Sequence, residues 1–275
     1  MISSRNPVSE LLGNKDCEIW WPGLAARLIS QSEYYNRLAK DYSTTAVISD
    51  NRGQPEMVFP ISSFPVAKLE MLSAEHALHF VGQGVCQLSL ERFAAPETFQ
   101  KVEAAVGLIA AAPSLLSVLS HLIRSIHLIH AEPSFDISFT DPELPFSVFV
   151  SVPSDTKFPE LRLAESLIHE AMHLQLSIIE KEVLLVQDQK SRFYSPWKKM
   201  MRPTSGIIHA LYVFTAIKQW LNLVKAVTKN GPQYANIRIE EITAEINLLD
   251  CEHCFDALTD NGKLLFDNML STLKG

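Results

Sequence analysis

The chain has 275 residues, 47% of them hydrophobic and 20% charged, with a formal net charge of -7. This apolar content supports a sizeable core and excludes a disordered chain, and the acidic balance without a long basic run excludes a general nucleic-acid binder, whose affinity comes from neutralising phosphates. Four cysteines are too few for a disulfide scaffold, so a reducing, cytoplasmic setting is expected.

The opening MISSRNPVSELLGNKD has no basic stretch leading into an apolar one, so no signal peptide is expected. Residues 23–42 follow Pro22 and carry Leu24, Leu28, Ile29 and Leu38 at helical spacing. PEMVFPI, 55–61, reads as a short strand or extended piece. Residues 67–81 and 97–129 read as helices, the second split by Pro113. Within it, 104–129 is strongly apolar but interrupted by Pro113, His121, Arg124 and His127, which predicts a buried helix and no membrane span. FDISFTDPELPFSVFVSVP, 135–153, alternates and turns at DPELP, the pattern of a hairpin. A helix is predicted over 159–182, a polar, aromatic loop over 187–206, and an apolar helix over 204–225. Helical patterns at 233–258 and 263–273 finish the chain. The expected fold is mainly α (α+β), a helical protein with a small antiparallel sheet. No composition shift divides it. We read 1–275 as a single catalytic domain, with a helical N-terminal region over 1–130, a metal-site core over 131–228 and C-terminal helices over 229–275.

Within 159–182 stands LIHEAMHLQL, with His169, Glu170 and His173. At 3.6 residues per turn, positions 169 and 173 stack on one helix face, so two imidazoles can share one ion. The competing reading is two core histidines bonded to backbone carbonyls. A third ligand is needed. The metzincin extension would place Gly at 176 and His at 179, but Leu176 and Ile179 stand there. Glu241 and Glu245, four apart in a later helix, are one choice, and His209, a polar ring in the apolar GIIHALYVF, is the other. Either would put the metal site between two helices. His127 and His130 are expected to pack the end of a helix, and His76 and His79 to lie on a partly exposed face. Cys251 and Cys254 form a lone CxxC, which more often packs than binds zinc.

Two chemistries fit. A zinc peptidase would use Glu170 as general base toward metal-bound water. A non-haem iron oxygenase would leave positions open for oxygen and a 2-oxo acid, and needs a cation for the co-substrate's distal carboxylate. Lys198, Lys199 and Arg202 in the loop, and Arg162 two turns before His169, are candidates, with ordinary solvated charge as the alternative for each.

RLAESLIHEAMHLQL, YSPWK at 194–198, Arg202–Pro203, GIIHALYVF and the upstream DPELPFSVFVSVP together resemble the HExxH-motif proteins that modify ribosomally made precursor peptides. The resemblance covers about 136–220 and is thin elsewhere. It implies an iron(II)- and 2-oxoglutarate-dependent hydroxylase acting on the β-carbon of a residue in a precursor peptide. It implies His169 and His173 as iron ligands with His209 as the third, and Arg202 as the 2-oxoglutarate partner ahead of Arg162 and Lys198. Lys198 stands where Arg is expected in many relatives. Glu170 then becomes a positioning group and not a peptidase base. The precursor peptide is the expected partner, with no nucleic acid and no membrane. The rivals are a zinc peptidase trimming a peptide and a non-enzymatic peptide-binding module.

Overall fold

The computed structural model describes residues 7–44, 57–82, 84–132, 135–141, 144–153 and 157–275. The protein is mainly α with a small mixed sheet and a two-stranded antiparallel one. Its contacts gather into two compact units, one of 22–174 and one that joins 1–21 to 175–275. The division falls inside a continuous helix, which is why composition gives no sign of it.

After α1 (Pro7–Leu12), the segment expected as one helix is two, α2 (Leu24–Gln31) and α3 (Glu33–Thr44). Ser32 is extended and its hydroxyl accepts from the Tyr35 amide, a serine cap that starts the second helix. Next come β1 (Met57–Pro60) and β2 (Lys68–Met71), then α4 (Ala74–Val81). The helix expected over 67–81 is therefore a strand followed by a helix. KLEM pairs in parallel with β3 (Ser125–Ile129), and this non-local ladder overrides local helical preference. Between them lie α5 (Leu90–Phe93), α6 (Pro96–Ile109) and α7 (Pro113–Leu122), the last two each opened by a proline. Pro113 does separate two helices, but 125–129 is strand and not helix.

β4 (Ser138–Phe139) and β5 (Ser147–Ser151) pair antiparallel, as the hairpin reading expected. Turn residues 142–143 lie outside the described residues. The sheet order is β1-β2-β3-β5-β4. Its outer pairs are antiparallel and its central pairs, β2–β3 and β3–β5, are parallel, so it is mixed where an antiparallel sheet was expected. β3 and β5 are buried at every position, the usual state of parallel strands covered on both faces. On one face Phe139 stacks on Phe149, and Phe149 on His127.

The sheet also buries a carboxylate. Glu70 on β2 is 1% exposed and accepts from the Ser125 hydroxyl at 2.8 Å through one oxygen, while the other has no hydrogen-bond partner among the described residues. Burial pushes its pKa up to about 7, and the Ser125 bond and Lys68 only partly oppose the rise. Since the folded value lies above the ordinary 4.5, the folded state binds more protons than the unfolded state between these limits. Stability from this group is complete below pH 4.5 and is lost as pH rises through 7. Glu70→Gln is expected to raise stability at pH 8 by up to about 3 kcal/mol and to leave it nearly unchanged at about pH 4.5. Urea melts at the two pH values measure the difference.

α8 (Pro159–Glu182) has the bounds its apolar spacing predicted. In the second unit, β6 (Arg192–Ser195) and β7 (Met200–Pro203) form a hairpin where the sequence suggested only a loop. α9 (Thr204–Val224) follows at once and packs against α10 (Gly231–Ile246) and α12 (Asp260–Lys274), with the short α11 (Cys251–Asp256) between the last two. Among the described residues α9 is the one helix long and apolar enough to cross a membrane, yet two-thirds of its apolar window is buried inside the protein, the position of a core helix. Tyr212 on α9 is fully buried, its hydroxyl 2.8 Å from Gln175 Oε1 and 3.1 Å from Ile19 O, and the Gln175 amide donates to Trp20 O. These bonds tie the N-terminal segment into this unit.

Candidate metal centre

α8 is buried on most of its surface, but Arg162, Glu165, Ser166, His169, His173, Ser177 and Glu180 are half-exposed. Their spacing of three and four traces one stripe along the helix. The HExxH histidines sit on this stripe. Their Nε2 atoms are 3.1 Å apart and their rings meet edge to face with centroids 4.7 Å apart. At metal–imidazole bonds of about 2.0–2.1 Å, nitrogens at this separation would subtend roughly 95–100° at one ion, between octahedral and tetrahedral values. The separation thus suits a chelate, and it suits equally a hydrogen bond between two neutral rings.

Glu170 points elsewhere. It is 3% exposed and accepts from the Ser138 hydroxyl of β4 at 2.7 Å. Spacing gave no warning of Ser138, because the partner arrives from a strand 32 residues earlier. Arg162, a candidate for the co-substrate, donates through Nε to Asp136 at 2.6 Å, with both side chains about a quarter exposed. Its charge is thereby matched inside the protein.

In the other unit, His209 on α9 has its Nε2 3.0 Å from Glu180 Oε2. Sequence reasoning did not single out Glu180. Its signal was the stripe itself, since it lies seven residues after His173 and so on the same face of α8. Arg202 lies near the end of β7, and its guanidinium lies across the first turn of α9. A methyl built on Gly206 would stand 3.2 Å from Arg202 Nε and 3.4 Å from the nearer terminal nitrogen. Gly206 thus lets a planar cation rest on the helix one turn before His209. Lys198 and Lys199 are exposed in the β6–β7 connection, Lys199 with φ +51°. Trp197 stacks on Phe214 at 5.2 Å, so it packs the hairpin onto α9.

Among the described residues the alternative ligands do not collect around a site. Glu241 is exposed and bonded to Arg238 at 2.5 Å. His127, expected at a helix end, is buried on β3 with Nδ1 3.1 Å from Glu70 O. The side chains of His76 and His79 lie outside the described residues. In CEHC, Cys254 is buried and its thiol is pushed up to about 12, chiefly by that burial. His253 is held by Asp250, the residue that caps α11, and this bond raises the imidazole pKa. Among the described residues, no group of three or more His, Cys, Asp or Glu side chains is placed to hold one ion. No protein-family model matches the chain, and no curated protein matches it.

Proposed function

We propose that the protein is an iron(II)- and 2-oxoglutarate-dependent hydroxylase that acts on the β-carbon of a residue in a ribosomally made precursor peptide, in the cytoplasm. The reading rests on the family resemblance of 136–220, and the observation that carries it is the His169–His173 pair at chelating distance on the half-exposed stripe of α8. When bound, iron(II) with 2-oxoglutarate supplies an oxidative decarboxylation in which one oxygen atom enters a C–H bond and the other appears in succinate. His169 and His173 hold the metal through Nε2. His209 is proposed as third ligand from the GIIHALYVF resemblance alone. If it binds through Nε2, its bond to Glu180 must open first.

Two features favour the hydroxylase over a zinc peptidase. Glu170 is a buried carboxylate engaged by Ser138, the condition of a group that fixes a helix and not of a base facing water. Arg202 is a cation resting on Gly206 at the start of α9, suited to a bidentate grip on a carboxylate. Arg162, spoken for by Asp136, fits that role less well, and Lys198 lacks the fork. All four cysteines are free thiols, which suits a reducing compartment.

Arg202→Ala is expected to raise the KM for 2-oxoglutarate about 10- to 100-fold, the loss of a charge-assisted hydrogen-bond pair, with a smaller change in kcat; steady-state succinate assays read both. Mass spectrometry of the precursor peptide separates the two enzymes. The hydroxylase adds one oxygen, and Glu170→Gln retains at least a tenth of that activity. Peptide cleavage with zinc, abolished in Glu170→Gln, would overturn the proposal in favour of the peptidase.

A further inference from the structure

The β6–β7 hairpin reverses the charge of the protein locally. The chain carries 31 acidic and 24 basic residues, yet QKSRFYSPWKKMMRP, 189–203, holds five basic residues and no acidic one. Lys190, Arg192, Lys198 and Lys199 are all exposed, and none is in an ion pair among the described residues. Interleaved with them are large apolar side chains open to solvent: Tyr194 at 46%, Met200 at 54% and Met201 at 51%. The register explains the arrangement. Tyr194 stands opposite Met201 and Arg192 opposite Pro203, so Arg192, Tyr194 and Met201 share the outward face. Phe193, Ser195, Met200 and Arg202 take the other face, where Met200 is exposed and the other three are half-buried or buried. The sheet has two strands only, so each has an outer edge with no strand neighbour among the described residues.

Exposed aromatic and methionine side chains ringed by cations, beside an open strand edge, make a poor solvent surface and a good docking one. We propose that this hairpin binds an extended, acidic segment of the peptide substrate. Such a segment adds as a strand, with alternate side chains facing opposite ways. Its carboxylates meet Arg192, Lys198 and Lys199, and an apolar residue on the same face lies over the Tyr194–Met201 pair. Nucleic acid and anionic membranes offer a similar charge but would meet the whole chain at -7, whereas a short peptide meets only the ribbon. The proposal takes the peptide substrate from the reading above and adds where, and by what chemistry, the peptide is held.

The test uses a fluorescein-labelled peptide of Glu-Thr-Val-Thr repeats, whose glutamates and valines share one face of a strand, titrated by anisotropy with the full chain free of metal, so that its outcome is separate from that of any turnover assay. The peptide is expected to bind, more weakly as salt rises. Its counterpart with glutamine in place of glutamate is expected to bind at least tenfold more weakly. Lys190→Glu/Arg192→Glu/Lys199→Glu is expected to weaken binding at least tenfold, and Tyr194→Ser/Met201→Ser several-fold. Circular dichroism checks that each variant folds, with Arg192→Gln/Lys199→Gln as a milder substitute. Equal binding of the two peptides, unchanged binding in the charge variants, or binding of single-stranded RNA or phosphatidylserine vesicles in preference to the peptide would overturn the proposal.

Discussion

His169→Ala/His173→Ala is expected to lower bound iron from about one ion per chain to less than a tenth, and succinate formation to background. Removing two of the three proposed ligands would leave no chelate, and metal affinity is expected to fall by far more than the roughly 10–100-fold typical of losing a supporting partner. The stripe of α8 that carries both rings is half-exposed, so the substitutions empty no core site and the fold is expected to persist, with circular dichroism unchanged. Metal analysis after reconstitution reads the result. A wild type and a double variant that are equally metal-free would favour the non-enzymatic peptide-binding module, with the two histidines held to each other by their 3.1 Å hydrogen bond and ring contact.

Gly262→Ala is the substitution expected to cost most in stability. Gly262 lies in the first turn of α12, and a methyl there would run into the backbone carbonyl of Leu185. That carbonyl cannot step aside, because it accepts from the Thr259 amide at 3.0 Å, while the Thr259 hydroxyl accepts from the Gly262 amide at 3.1 Å. Backbone must move against backbone, so the cost sits at or above the usual overpacking range, about 3 kcal/mol or more. In a chain of this size that lowers the melting temperature by roughly 6–12 °C. Gly107→Ala on α6, where an added methyl meets nothing within 4 Å, serves as the control and is expected to be neutral or slightly stabilising. Equal melting temperatures for the two variants would show that α12 approaches the Leu185 segment less closely than described.

Much of the helical framework was legible because its information is local. α8 and α9 carry apolar residues at helical spacing over five turns or more, and their bounds agree with the sequence reading to within a residue. β2 and β3 were misread as helix for the opposite reason. KLEM and SIHLI are short, and what makes them strands is parallel pairing with each other and with β5, between segments far apart in the chain. The β6–β7 hairpin escaped because its outward positions hold Arg, Tyr and Met, which blur the alternation that marks a half-buried strand.

The candidate site divides along the same line. His169 and His173 could be placed side by side from a four-residue spacing, and the structure puts their nitrogens in contact. The partners of the other site residues come from distant segments: Ser138 for Glu170, Asp136 for Arg162, Glu180 for His209. No periodicity encodes these pairs. Gly206 is a middle case. Its position four residues after Arg202 is visible in the sequence, but its purpose shows only once the guanidinium is seen lying on the helix.

Anaerobic loading of the full chain with iron(II) and 2-oxoglutarate in the presence of the precursor peptide, followed by an oxygen pulse and a succinate assay, bears most directly on the claim that the α8 histidines serve a hydroxylase. The expected result is succinate in step with oxygen added to the peptide, absent from His169→Ala/His173→Ala. No succinate from the wild-type protein with the correct precursor present would contradict it.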